Sequence, residues 1–203
     1  MSGEDRLRWD GRYGAGGCPS EEPVPGLPFT FGPYEALFPS TGSALEVACG
    51  CGETSVWLAV RGMDVVGWDI SLVALGRARR LAARHGVDGR CRFEEADLDH
   101  GLPAGPSADV IVCHMFRDPR LYRPLLERLG GGGLLAIAVL SQVGAEPGAF
   151  RAGPGELGRA FRELSILAQG EGGGRAWLLG RRHATPGTPE GPRQSGGRRP
   201  PWP

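Results

Sequence analysis

A chain of 203 residues with 40% apolar content suits one domain with a sizeable core, and a formal net charge of zero gives no basis for general attraction to nucleic acid or to an anionic membrane. All 23 basic residues are arginine and 35 residues are glycine, a bias of GC-rich coding that is discounted before any arginine is read as a ligand. Five cysteines, an odd number with no CxxC pair, argue against a disulfide scaffold and a structural zinc site, and no run reaches the ~18 apolar residues of a membrane span.

The opening "MSGEDRLRWD" is charged and lacks an apolar stretch, so no signal peptide is visible and a reducing cytoplasm is the expected compartment. "PSEEPVPGLPFTFGP", residues 19–33, is proline-rich and long for a connection, as functional loops often are, and its Phe29 and Phe31 are expected to line a pocket. "SALEVA" then reads as a first strand, and "TSVWLAV" as a short helix stopped by Gly62. "DVVGWD" is a second strand. Ser71 caps a helix that runs to His85 and ends at Gly86, with Leu75, Ala78 and Ala82 on one face and Arg77, Arg80 and Arg84 on another.

"CRFEEA" is a third strand and "ADVIVCH" a fourth, apolar enough to be central. Tyr122, Leu125, Leu126 and Leu129 have the spacing of a buried helix face, opened by Pro119 or Pro124. "GLLAIAVL" is a fifth strand and "PGELGRAF" a short helix, and "FRELSILAQ" and "RAWLLGRR" close the domain as an antiparallel pair joined by a glycine turn. The tail from Ala184 is rich in proline and glycine, has almost nothing to bury and is expected to be disordered. Strand and helix alternating in this rhythm predict an α/β domain with a mostly parallel sheet covered on both faces. The ligand crevice of such a sheet lies at the carboxyl ends of its strands.

"LEVACGCGETSVWLA", residues 45–59, places a glycine pair at the first such end. A P-loop would need GxxxxGK[ST], and the chain has no lysine. A dinucleotide turn would need GxGxxG or GxGxxA; here Ser55 takes the third position, and the Glu53 carboxylate at the helix mouth repels a pyrophosphate. S-adenosylmethionine carries no phosphate and is cationic at sulfur, which suits an acid-lined notch. Glu46 lies four residues before Gly50, Asp69 ends the second strand 19 residues after Gly50, and Asp97 follows the third. A carboxylate at Asp69 accepts two ribose hydroxyls side by side. Asp97 accepts from the adenine amine, and the Leu98 amide donates to a ring nitrogen.

The order acid–GxG, Asp, Asp at successive strand ends resembles the class I S-adenosylmethionine-dependent methyltransferases. "LEVACGCGETSVWLAVRGMDVVGWDIS" is similar to the small tellurite-resistance and thiopurine-type methyltransferases. The resemblance spans residues 44–181 and implies a Rossmann-like seven-stranded sheet of order 3-2-1-4-5-7-6 with strand 7 antiparallel. It places Ala48, Gly50 and Gly52 against the methionine part, with Cys51 also cofactor-binding, Asp69 and Ile70 around ribose and adenine, and Asp97 and Leu98 at the adenine edge. Cys113 and His114, at the end of the fourth strand, fall beside cofactor and acceptor. Where the family usually has LxPGGxL this chain has Gly131 in place of the proline, which touches a turn and not the site. In these families a W-x-x-R-Y segment folds over the site, so Trp9, Arg12 and Tyr13 are expected to form part of a lid within an amino-terminal segment, residues 1–42, ahead of a methyltransferase domain at 43–183 and the tail at 184–203.

Methyl transfer is an in-line displacement on an already activated sulfonium, so alignment alone supplies ~7–11 kcal/mol. A thiolate or reduced metalloid acceptor needs no base, whereas an oxygen or nitrogen acceptor calls for one. His114 is the best-placed base and is the candidate catalytic residue. Asp118, His85 and His100 read as cap, helix end and loop. Cys49, Cys51 and Cys113 are candidate nucleophiles, weighed against their more ordinary place in core or turn. A metal set of Cys49, Cys51, Cys113 and His114 has poor geometry, because a one-residue spacing in a turn does not bring two thiolates to one ion. The expected partner is a small-molecule acceptor, with no nucleic acid and no membrane. "CHMF" stands where amino-group nucleic-acid enzymes carry N/D-P-P-Y/F. A protein methyltransferase, a binding module without turnover and a nicotinamide enzyme are the alternatives weighed.

Overall fold

The computed structural model describes residues 3–16 and 23–184, and within these the alternation read from the sequence becomes a single seven-stranded sheet. In chain order the elements are α1 (Gly3–Gly14), β1 (Ser43–Val47), α2 (Glu53–Val60), β2 (Asp64–Asp69), α3 (Leu72–Arg84), β3 (Cys91–Glu95) and β4 (Ala108–His114). Then follow α4 (Tyr122–Arg128), β5 (Leu129–Leu140), α5 (Glu156–Ala160), β6 (Ser165–Gly172) and β7 (Arg175–Arg181). The strand order is β3-β2-β1-β4-β5-β7-β6. β1 to β5 pair in parallel, and β7 runs antiparallel to both β5 and β6. This is the order and polarity that the family resemblance implies.

The period-two alternation of the strands sorts their side chains between two cores. Leu45, Val47, Ile111, Cys113, Leu135 and Ile137 pack on one face with Tyr122, Leu125 and Leu126 of α4. Ala44, Val65, Val110, Val112, Leu134 and Ala136 pack on the other with Leu58 and Ala59 of α2. Val110, Ile111, Val112, Leu134, Leu135 and Ala136 have no exposed surface, so β4 and β5 form the centre of the apolar core. Fully burying one Val, Leu or Ile side chain contributes ~1.5–3 kcal/mol. The reversal of strand order between β1 and β4 opens the crevice at their carboxyl ends.

Ser71 caps α3, its hydroxyl accepting from the Ala74 amide at 3.2 Å, and Gly86 follows the helix with φ +66°. Pro119 opens the fourth helical segment: Asp118 accepts from the Arg120 amide at 2.9 Å, a 3-10 turn spans Pro119–Leu121, and α4 follows with Pro124 in its first turn. β5 begins at Leu129, so Gly130–Gly133 lie inside the strand rather than in the loop before it. A register shift between Ala108 and Val110 absorbs the extra length.

Two expectations are corrected. Phe31 does not line a pocket: it is fully buried, meets Trp177 edge-on at 6.3 Å between ring centroids and packs with Leu58, Val112 and Leu179. It sits in a 3-10 stretch, Phe29–Leu37, that covers one sheet face, while Phe29 is 94% exposed. The cysteines are also not all free: Cys49, Cys91 and Cys113 are free thiols, but Cys51 is disulfide-bonded. Cys18 and the tail beyond Ala184 lie outside the described residues.

Phe31→Ala is expected to cost about 3–5 kcal/mol of stability, the penalty of emptying a large aromatic site in a packed core. Denaturant unfolding checks it; an unchanged midpoint would contradict the packing role.

Candidate functional site

The site is built where β1 and β2 end. Residues 48–52 turn sharply from β1 into α2, with Ala48, Gly50 and Gly52 at φ +56°, +53° and +80°. The left-handed conformation costs an L-residue roughly 1–2 kcal/mol and costs glycine almost nothing. Gly52 is also needed for space, because a Cβ there would lie 2.7 Å from the Ala78 Cβ of α3. Gly50 faces outward, and the Tyr13 hydroxyl lies 3.1 Å from where its Cβ would be.

One carboxylate ties this turn to the next. Asp69, the last residue of β2, is buried; its Oδ2 accepts the Gly50 amide at 2.8 Å and its Oδ1 accepts the Ser71 amide at 2.9 Å. Burial raises the Asp69 carboxyl, and the amide hydrogen bonds from Ser71, Gly50 and Ile70 oppose that rise. Asp69 shares a sheet face with Val65, Glu46 with Ala44, and His114 with Val112, so alternation aims all three toward the face covered by α2.

Glu46 is buried among the elements rather than at the notch surface. Its Oε2 accepts from the Ser55 amide at 2.8 Å and from the Ser55 hydroxyl at 2.5 Å, which fixes the first turn of α2. Burial pushes its carboxyl up to about 8, against the Ser55 hydrogen bond and with the help of Glu53. Glu53, first in α2, differs: its Oε1 is buried and has no hydrogen-bond partner, and burial raises its carboxyl.

α1 lies across this end of the sheet. Asp10 Oδ1 accepts from the Ser71 hydroxyl at 2.5 Å and from the Val73 amide at 3.3 Å, and Arg6 pairs with Glu95 at the end of β3. Arg6, Asp10 and Tyr13 fall on one helix face, so the latched helix lowers Tyr13 onto Gly50. Burial raises the Tyr13 phenol, and the Asp69 and Cys49 charges raise it further. Trp9 stacks on Tyr13 with centroids 5.8 Å apart, and the exposed Arg12 lies over the Trp9 ring at 5.1 Å. Of the three lid residues expected from sequence, Tyr13 reaches the glycine turn, and Trp9 and Arg12 stack behind it.

The remaining expected residues divide. Ile70 and Leu98 are buried, at 2% and 1% exposure. Asp97 accepts the Asp99 amide at 3.0 Å and opens a short 3-10 turn, Leu98–His100. Cys51 is buried in the turn. Cys113 faces the opposite core from His114, its thiol directed at the Phe116 carbonyl at 3.4 Å and raised by burial to about 12. His114 is partly buried; burial first and then the Arg175 charge lower its imidazole to about 4. Next to it Met115 takes φ +59°, and its amide donates to the Ala138 carbonyl at 2.7 Å.

Asp10, Ser71, Glu53 and the Arg117–Glu156 pair were not singled out from sequence as parts of the site. The i, i+3 spacing of Asp10 and Tyr13 was the available signal for the first. Arg117 donates to both Glu156 oxygens at 2.8 Å, the Tyr122 hydroxyl donates at 2.7 Å and the Gly153 amide at 3.0 Å. Burial alone would raise Glu156, but these donors outweigh it and hold the carboxyl at about 2. The clasp joins the segment after β4 to α5, on the sheet face that also holds Cys113 and Tyr122.

Residues 44–133 match the family described as "Methyltransferase domain". The chain is 36% identical over 112 residues to Methyltransferase GfsG of Streptomyces halstedii, covering 52% of this chain and 40% of that protein. It is 31% identical over 140 residues to Ribosomal RNA small subunit methyltransferase C of Chromohalobacter salexigens, covering 64% of this chain and 38% of that one. It therefore spans less than half the length of these curated relatives. Among solved structures, TehB from Haemophilus influenzae superposes with a TM-score of 0.68 at 19% identity, over 77% of this chain and 62% of that one. An S-adenosylmethionine-dependent methyltransferase from Mesorhizobium loti superposes at 0.60 and 20% identity, over 72% and 94%.

Glu46 gives this site a pH signature. An acid whose carboxyl is raised on folding keeps its proton in the native state while the unfolded chain has lost it. Stability therefore falls as pH rises from the ordinary glutamate range to about 8. The slope is up to about 1.4 kcal/mol per pH unit. Glu46→Gln, which still accepts from Ser55, is expected to flatten the wild-type fall in stability between about pH 5 and 8. Equal slopes for the two proteins in denaturant titrations would refute the assignment.

Proposed function

We propose, from the premise that this chain carries a class I S-adenosylmethionine-dependent methyltransferase domain, that it transfers a methyl group to a small nucleophile held at the ends of β4 and β5. The observation that carries this reading is the notch between Gly50 and Asp69: a bare glycine and a buried carboxylate held by backbone amides.

The residues present fit the cofactor. A side chain at position 50 would fill the cradle below Tyr13. The Asp69 carboxylate, held by backbone amides, retains acceptor capacity for a ribose hydroxyl. Ile70, Asp97 and Leu98 are the residues that would hold an adenine. When bound, S-adenosylmethionine supplies a methyl group on a positively charged sulfur, and transfer to the acceptor's lone pair leaves the neutral thioether. The chain's own residues supply alignment: Asp69 and the glycine turn fix the donor side.

His114 is the candidate base, and its low pKa keeps the imidazole neutral at neutral pH. A neutral imidazole offers one acceptor nitrogen, but at about 4 it is a weak base. That supports a soft acceptor, a thiolate or reduced metalloid, which arrives with its lone pair free. The segment between β5 and α5, residues 141–155, is pinned, with Arg151 donating to the Ser141 and Gly174 carbonyls, which supports a small acceptor over a folded macromolecule.

A methyl-transfer screen over thiols, tellurite and selenite species, phenols, peptides and an RNA oligonucleotide tests the acceptor class. Transfer to a small nucleophile is expected; transfer to RNA or peptide alone would overturn the reading. His114→Asn is expected to slow transfer to a thiol by less than ~10-fold and to a phenol by ~10²–10⁴-fold. Asp69→Asn is expected to weaken S-adenosylhomocysteine binding by about 10- to 100-fold in calorimetry while circular dichroism stays unchanged, since hydrogen bonds to a charged group contribute ~1.5–3 kcal/mol. Unchanged affinity would refute the ribose assignment.

A further inference from the structure

Arginines beyond β4 and β5 are spent on the fold, with one exception. Arg117 is held by Glu156, and Arg151 donates to the Ser141 and Gly174 carbonyls. Arg175, the first residue of β7, is exposed, and its guanidinium makes no ion pair or hydrogen bond among the described residues. Glu171, across the hairpin, does not neutralise it: that carboxylate accepts the Ser141 hydroxyl and the Gly155 amide, both at 2.8 Å. Glu171 also pairs with Ala176, whose side chain enters the opposite core.

The register brings Arg175 to the end of β4. β7 runs antiparallel to β5, so its first residue lies at the carboxyl end of the parallel strands. Arg175 pairs with Leu140, and Trp177 with Ala138, whose other neighbour is His114. Paired residues share a sheet face, as do residues two apart on one strand. Val112, Ala136 and Leu179, in the same series, pack in one core. Arg175 and His114 therefore rise from one face with β5 between them. Two strand spacings across and two residues along put their Cα atoms roughly 12 Å apart. The Arg175 charge is felt at the imidazole, where it adds to burial in lowering the pKa. Trp177, two residues on, meets Phe31 edge-on and Tyr34 at 5.6 Å between ring centroids, which fixes β7 on this face.

We propose that Arg175 receives a negatively charged group of the methyl acceptor, which makes the preferred substrate a small anionic nucleophile. This rests on the small-acceptor reading above and adds the charge class of that acceptor. A guanidinium is planar, keeps its charge at any working pH and presents a fork of donors, so it suits a carboxylate or another oxyanion. A molecule lying over Ala138 and Leu140 meets the guanidinium at one end and presents its nucleophile beside His114 at the other. Neither residue between the two carries a charge that would repel an anion. The same cation that attracts the anion keeps the His114 imidazole neutral, so this end of the sheet offers the acceptor one positive charge and not two. An arginine that served solubility alone would change neither acceptor preference nor the imidazole.

The test uses the full chain, S-adenosylmethionine and three thiols that differ in charge: 3-mercaptopropionate, 2-mercaptoethanol and cysteamine. Wild type is expected to show the highest kcat/KM for the anionic thiol and the lowest for the cationic one. Arg175→Gln is expected to reduce the anionic-to-neutral ratio roughly 5- to 50-fold, between the value of an exposed ion pair and that of a charged hydrogen bond. Arg175→Lys is expected to keep most of the ratio, and Arg175→Glu to turn the preference toward cysteamine. A wild type indifferent to acceptor charge would overturn the proposal and leave the small-acceptor reading in place. An equal loss on all three thiols in Arg175→Gln would overturn it as a structural effect. No transfer by wild type to any of the three would overturn the soft-acceptor reading and the proposal with it. A proton NMR titration checks the juxtaposition without turnover: the His114 imidazole is expected to titrate higher in Arg175→Gln than in wild type. Identical titrations would overturn the proposal.

Discussion

The Asp69 carboxylate is the constraint on which the rest of this site depends. It accepts one amide from the turn after β1 and one from the turn after β2, so a single buried side chain holds two loops in register. Ser71, fixed through its amide, caps α3 and offers its hydroxyl to Asp10 of α1. α1, latched by Asp10, brings Tyr13 back over Gly50, where the circuit began. The circuit closes through hydrogen bonds to charged groups in a largely dry setting, where each contributes more than it would in water. The glycine turn needs such support, because Ala48 is held at positive φ without the freedom of a glycine.

The segment after β4 is held separately and by different means. The Arg117–Glu156 ion pair is mostly buried, bidentate and joined by the Tyr122 hydroxyl and the Gly153 amide, so every Glu156 oxygen is satisfied. A pair satisfied in this way fixes the segment after β4 against α5. Asp69 thus ties the turns after β1 and β2 together, and Glu156 ties the segment after β4 to α5.

Much of this was legible in the sequence, and the residues explain why. The strands of the parallel sheet are continuous apolar runs, so their positions, and Asp69 as the last residue of β2, followed from pattern. Ser71 was recognisable as a cap because capping is local chemistry. The order of the sheet came from resemblance to a family, since strand order is not written in periodicity. What escaped was non-local. Phe31 looks in sequence like any phenylalanine in a proline-rich connection, and only the packing of Trp177 and Leu179 against it makes it core. Glu46 and Glu53 are both acids near a glycine turn; which one faces inward depends on Ser55, nine residues from Glu46. The Arg117–Glu156 clasp spans 39 residues and has no short-range signature.

A crystal structure of the chain with S-adenosylhomocysteine is the most direct measurement. The account predicts density between Gly50 and Asp69, with the ribose on the Asp69 carboxylate and Tyr13 lying against the ligand. Ligand density elsewhere on the molecule, or at this end with Asp69 turned away from it, would contradict the account.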